Sequence, residues 1–112
     1  MNSLQKQIRK TFFQTLEDLK TKDNFEMFLN DFLSENELEV FTNRLATAYW
    51  LKKGRSIENI KANLNVSPSE IKTSKEKLNS KGYKLAIKLM ESEEWANVWS
   101  EKIKKLGTSS RN

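Results

Sequence analysis

The side chains best equipped for chemistry in this chain are small hydroxyls and cations gathered around its one proline, Pro68. Ser67, Ser69 and Thr73 interleave with Lys72, and Lys61 and Arg55 lie a short way upstream. Such groups donate hydrogen bonds and neutralise anions; alone they do not break bonds. Histidine and cysteine are absent, which removes the commonest general base, a common metal ligand and all thiol chemistry. Carboxylates such as Glu93 and Glu94 are adjacent, hence on different faces of a helix, and no nucleophile, base or glycine-rich phosphate loop accompanies them. An enzyme is therefore the least supported class, and no cofactor or metal is expected.

The charge pattern points to an anionic partner. The chain carries +5 overall, with a pI near 9.5, and the excess is local. Residues 51–88 hold ten Lys or Arg against three acids, a net +7, whereas residues 1–50 hold six against eight and residues 89–112 are balanced. Solubility alone gives no reason to concentrate charge around Pro68; displacing counterions from a phosphate backbone does.

The elements that must position these groups are helices. Leu4, Ile8, Phe12, Leu16 and Leu19 recur at three- and four-residue steps, predicting a helix over 3–20. After the polar break KTKDN, Phe25, Phe28, Leu29, Phe32 and Leu33 predict a second, ending near Leu33. Ser34 and Glu37 form a capping box, in which serine accepts from a free first-turn amide while the glutamate reaches back. The third helix, with Leu38, Phe41, Leu45, Ala48 and Tyr49 on one face, should run to about Lys53 and close at Gly54 in the left-handed conformation. Ser56 caps a short fourth helix marked by Ile57, Ile60 and Leu64, and Asn65 and Val66 make a tight turn. Two further helices are expected near 82–91 and 93–106, the latter with Trp95, Trp99, Ile103 and Leu106 on one face. Strand periodicity is absent over any useful length, so the fold class is all-α, a compact bundle of about six to seven helices.

Within that frame Pro68 starts a helix. Ser67, Pro68 and Glu70 make a second capping box, with proline in the first turn, where its missing amide hydrogen costs nothing. The new helix turns Ile71, Ser74 and Leu78 inward and Ser69, Lys72, Thr73, Glu76 and Lys77 outward. Two short helices joined by a turn of about three residues, the second opening on small polar groups and lysines, have the layout of a helix-turn-helix. Read so, the start of the helix from Ser67 and Pro68 offers free amides to a phosphate or groove edge, while Ser69, Lys72 and Thr73 face bases. Lys61 and Arg55 are placed for phosphates, and the partner is double-stranded DNA.

The stretch FLSENELEVFTNRLATAYWLKKGRSIENIKANLNVSPSEIKTSKEKL, residues 32–78, resembles the DNA-binding half of the trp repressor superfamily. DLKTKDNFEMFLNDFLSENELE, residues 18–39, and Lys81-Gly82-Tyr83 are similar to its YerC-type members, so the resemblance covers roughly residues 12–84. It implies an intertwined homodimer whose amino-terminal helices interlock, and a transcriptional repressor. A core shared between subunits would also suit a chain that is only 37% hydrophobic. The chain's length suits one domain, read over 1–106 with dimerisation helices in 1–33, the long helix and helix-turn-helix in 35–80 and carboxy-terminal helices in 82–106; the tail at 107–112 lacks an apolar anchor and is expected to be disordered. In that family the ligand indole lies between two arginines. Arg44 matches the first and is the candidate ligand-binding residue; Ser34 matches the threonine that begins the same helix. Thr73 stands where the second arginine would be, and Lys77 where a ligand serine would be. Losing one stacking guanidinium removes a cation–π wall and a carboxylate partner, which argues against tryptophan as effector. The competing reading of Arg44 is structural, paired with a nearby acid.

Other readings stay open. The helix-turn-helix could be a scaffold that has lost DNA binding and meets an acidic protein surface instead. Tyr49, Trp50, Trp95 and Trp99 could stack on single strands, although their spacing beside leucines suits a core or a dimer interface better. The stretch IKLMESEEWANVWSEKIKKL could lie on a membrane surface, but its acids cancel its lysines. No apolar run approaches the roughly 20 residues that span a bilayer, and MNSLQKQIRK lacks a secretory apolar block, so a cytoplasmic chain is expected.

Overall fold

A computed structural model of the protein describes residues 2–93. Among them are six helices and no strand: α1 (Ser3–Leu19), α2 (Lys22–Phe32), α3 (Glu35–Lys52), α4 (Ile57–Asn63), α5 (Pro68–Lys77) and α6 (Lys81–Ser92). The helix expected over 93–106 and the tail at 107–112 lie outside the described residues, Glu93 apart. No described helix is long and apolar enough to cross a membrane. The chain forms two units, Met1–Glu39 and Val40–Asn112, and the division falls within α3.

In the first unit, Asn2 caps α1 by accepting from the Gln5 amide at 2.8 Å. The break KTKDN is shorter than its composition suggests. Thr21 accepts from the Asn24 amide at 3.1 Å, and Asn24 Nδ2 donates to the Leu19 carbonyl at 2.9 Å, so α2 starts at Lys22 and takes in Asp23 and Asn24. The chain reverses at Lys20, whose φ is +63°. Phe28 stacks on Phe32 with ring centres 4.3 Å apart and meets Phe12 at 6.4 Å. No residue of α1 or α2 is buried, and Leu4, Ile8, Phe12, Phe13, Met27 and Phe32 are all exposed. The capping box that opens α3 is formed: Glu37 N donates to Ser34 Oγ at 3.1 Å and Ser34 N donates to Glu37 Oε1 at 2.9 Å. The Ser34 amide and then its hydroxyl hold the Glu37 carboxyl below its ordinary pKa.

The second unit contains the core. Tyr49 and Trp50 of α3 meet Ile60 of α4, Ile71 of α5 and Met90 of α6, with Leu45, Leu51, Leu64 and Val66 packed around them. Ile60 and Ile71 are fully buried, each stabilising the unit by about 1.5–3 kcal/mol. The expected apolar face of α3 needs correction. Phe41 is exposed, and burial covers the consecutive residues Ala46, Thr47, Ala48, Tyr49 and Trp50. A single stripe serves a helix packed on one side; here α4, α5 and α6 all pack on the end of α3, so its whole girth is covered there. Of the residues that mark α4, Ile60 is buried and Ile57 is exposed. Gly54 closes α3 as expected, with φ +82°. Arg55 N donates to the Trp50 carbonyl at 3.0 Å and Gly54 N to that of Leu51 at 3.0 Å, the two bonds of a Schellman cap.

Candidate nucleic-acid interface

The site begins with two caps. Ser56 starts α4 by accepting from the Asn59 amide at 3.1 Å. The chain then turns between Leu64, whose amide donates to the Ile60 carbonyl, and Val66, whose amide donates to that of Leu64. At Ser67 both bonds of the capping box are made: Glu70 N donates to Ser67 Oγ at 3.2 Å and Ser67 N donates to Glu70 Oε1 at 2.9 Å, with Pro68 next in the first turn. The Ser67 and Ser69 hydroxyls lie 3.1 Å apart. The Ser67 amide and then its hydroxyl pull the Glu70 carboxyl below its usual pKa; burial opposes them, and the Arg44 charge adds the smallest contribution, a further lowering.

Periodicity is followed closely on α5. Ile71 and Ser74 are buried and Leu78 is half-buried, while Ser69, Lys72, Thr73, Glu76 and Lys77 are exposed. Lys61 on α4 is exposed too, and Arg55 is half-buried at the approach to that helix. The exposed end of α5 thus presents two hydroxyls and a cation on a turn whose free amides are only partly used by its own cap. That arrangement can donate hydrogen bonds and attract anions.

Not all of the local positive charge is free for a ligand. Lys53 Nζ sits 2.7 Å from Glu91 Oε2, linking the end of α3 to the end of α6, and lies 5.3 Å from the centre of the Tyr49 ring. The Glu91 bond raises the Lys53 pKa and lowers that of Glu91. Lys53 is thereby committed to the fold, whereas Lys81, Lys84 and Lys88 on α6 are exposed.

Three of the candidate binding residues come together around a cavity of about 170 Å³. Arg44, Ser69 and Thr73 line it with Thr47, Glu70 and Tyr83, among others. Lys61, Lys72, Arg55 and Lys77 do not line it. Instead of one carboxylate pairing tightly with Arg44, the guanidinium lies over the Phe41 ring, 5.4 Å from its centre, and its charge reaches Glu70. Sequence reasoning missed Thr47 and did not place Tyr83 here. Thr47 looked like one more helix residue, although it is 1% exposed and its hydroxyl donates to the Asn43 carbonyl at 2.7 Å.

Among the described residues no cluster of carboxylates could hold a metal ion. No curated protein and no solved structure matches the chain. A family model described as Trp repressor protein matches residues 7–93, spanning every helix from most of α1 to the end of α6. The chain belongs to the Trp repressor family, whose members are DNA-binding regulators and not enzymes.

Proposed function

We propose that the protein is a sequence-specific, double-stranded-DNA-binding transcriptional regulator of the repressor type, with α4, the turn and α5 acting as a helix-turn-helix. The observation that carries this reading is the first part of α5: a fully formed capping box holds the turn while Ser69, Lys72 and Thr73 stay exposed. Around it residues 51–88 carry the +7 that a phosphate backbone would attract. In this reading Ser69, Lys72 and Thr73 face base edges in the major groove. Ser67 and Pro68 place the helix end near a phosphate, and Lys61 and Arg55 contact the backbone. The working unit is a homodimer, supported by the unburied apolar stripes of α1 and α2, and the likeness of residues 18–39 to YerC-type proteins belongs to the same proposal.

Selection from a random duplex library tests this. An enriched, roughly palindromic motif is expected, with a half-site spacing that reports the dimer; no enrichment would favour a protein-interaction module on the same scaffold. On the selected duplex, Lys61→Ala should weaken binding evenly across sequences and reduce the salt slope by about 0.9 for one lost phosphate contact. Lys72→Ala should relax discrimination at one base pair by about 1–3 kcal/mol. If both variants bind with unchanged affinity and salt dependence, the assignment of these lysines is wrong.

Tryptophan is not the effector in this reading, because Thr73 stands on the cavity where a second guanidinium would be needed to close a stacking sandwich around an indole. Titration calorimetry at micromolar concentrations is expected to give no tryptophan isotherm, and a clear one would reverse the conclusion.

A further inference from the structure

The second unit carries an apolar groove of about 330 Å³ lined by residues of α3 and α6. Phe41, Leu45 and Ala48 come from α3 and Gly82 and Ala86 from α6, and Arg44 is the one charged residue among those described that lines it. Phe41 is more than half exposed, and so are Leu85 and Leu89 further along α6. Gly82, Leu85, Ala86 and Leu89 recur at three- and four-residue steps, so they share one face of that helix. Ile87 and Met90, on its other side, are buried. Glycine weakens a helix, and nothing within the chain calls for one at Gly82. Its φ is not positive, and among the described residues no neighbouring atom lies within 4 Å of where its Cβ would stand. A bare backbone on an exposed apolar face lets another helix come close.

Resting on the homodimer reading, we propose that this groove seats the first unit of a second copy, led by Leu4, Ile8 and Phe12 of its α1, and that each copy does this for the other. Three properties select that occupant. The stripe on α1 is exposed in its own chain, Leu4 and Ile8 by more than half. Its four-residue spacing is also that of Phe41 and Leu45 on α3 and of Leu85 and Leu89 on α6, and ridges of this spacing interlock when helices pack. At about 1.5 Å per residue, Leu4 to Phe12 spans about 12 Å and Gly82 to Leu89 about 10.5 Å, so stripe and groove match in length. The charges of the two units are complementary: residues 1–39 hold five cations against eight acids, and residues 40–93 eleven against five. A first unit is therefore drawn towards the second unit of another copy. Two-fold symmetry makes the contact twice.

Gly82→Trp fills the groove from a position that is open within its own chain. It should keep the wild-type helix content by circular dichroism and raise the dimer Kd, measured by sedimentation equilibrium, by about ten- to a hundredfold. The occupant is identified by a spin label. The chain has no cysteine, so Gln7→Cys carries a single nitroxide on α1, beside the stripe. Refolded together with an isotope-labelled chain free of nitroxide, it is expected to broaden the amide signals of Gly82, Leu85 and Leu89 in the other copy. Broadening seen only when one chain carries both labels, diluted in unlabelled protein, would put the chain's own α1 in the groove. Broadening in neither sample would leave the groove to residues 94–106 or to a different partner. Either result overturns the proposal. A wild-type protein that sediments as a monomer ends the homodimer reading and this assignment with it, whereas a wild-type dimer whose Kd is unchanged by Gly82→Trp ends this assignment alone.

Discussion

Ile71→Ala is expected to release α5 from the second unit and to abolish DNA binding, at a cost of about 2–5 kcal/mol in stability. The helix PSEIKTSKEK has ten residues, short of the roughly 12–15 needed for even marginal stability in isolation. It therefore depends on what it buries, which is Ile71 and Ser74. Ile71 is fully buried against Tyr49, Trp50, Ile60 and Met90, so truncation leaves a cavity at the centre of the cluster instead of at its edge. Against a total stability of about 5–15 kcal/mol for a native domain, that loss is a large fraction. Ile71→Val should cost only about 0.5–1.5 kcal/mol and leave α5 docked. Urea denaturation gives the stability change and anisotropy on the selected duplex gives the affinity. A loss below about 1 kcal/mol for Ile71→Ala, with affinity retained, would mean that α5 is anchored by something other than this side chain.

The contrast between what local sequence reveals and what it conceals is sharp in this molecule. Both capping boxes, the glycine closure at Gly54 and the inward face of α5 were legible, because each depends on residues within a few positions of one another and on backbone groups that must find partners. The start of α2 was read too late because polar KTKDN resembles a loop, whereas Thr21 converts most of it into a helix start by accepting one amide. The apolar face of α3 was misread for a different reason. Periodicity reports burial against one neighbour, and the end of α3 is surrounded, so Thr47 and Trp50 go inside while Phe41, further up the helix, stays exposed. Charge counting erred similarly at Lys53, whose partner Glu91 is 38 positions away and invisible to any local pattern. The candidate DNA-facing residues on α5 were legible as a helix face. The cavity joining Arg44 to Glu70, Thr73 and Tyr83 was not, since it exists only once α3, α5 and α6 are packed.

On the homodimer proposed above, Phe12→Asp is expected to give a monomer and to make the melting temperature independent of concentration. In the first unit the Phe12 ring contacts Phe13 at 5.8 Å and Phe28 at 6.4 Å between centres, yet remains 46% exposed, and Leu4 and Ile8 on the same stripe are more exposed still. A stripe of this kind on a monomer is a liability, and a second copy is the covering its spacing suits. In a two-fold symmetric interface each substitution acts twice. Full burial of a large apolar side chain is worth about 1.5–3 kcal/mol, so losing two copies of Phe12 removes about 3–6 kcal/mol less whatever each ring already buries within its own chain. The introduced carboxylates would also have to be desolvated, which adds to the loss. With each ring 46% exposed, about half of that remains to be lost, so at about 1.4 kcal/mol per factor of ten in Kd the lost burial alone should lower dimer affinity by about one to two orders of magnitude. Sedimentation equilibrium measures this directly, and Phe12→Leu, which keeps an apolar contact, should remain dimeric. Loss of the dimer should also weaken binding to a palindromic duplex more than to a single half-site, because only the palindrome engages two helix-turn-helix units at once. A Phe12→Asp protein that sediments as the wild type would place the dimer contact elsewhere and leave the exposed stripe of α1 without that role.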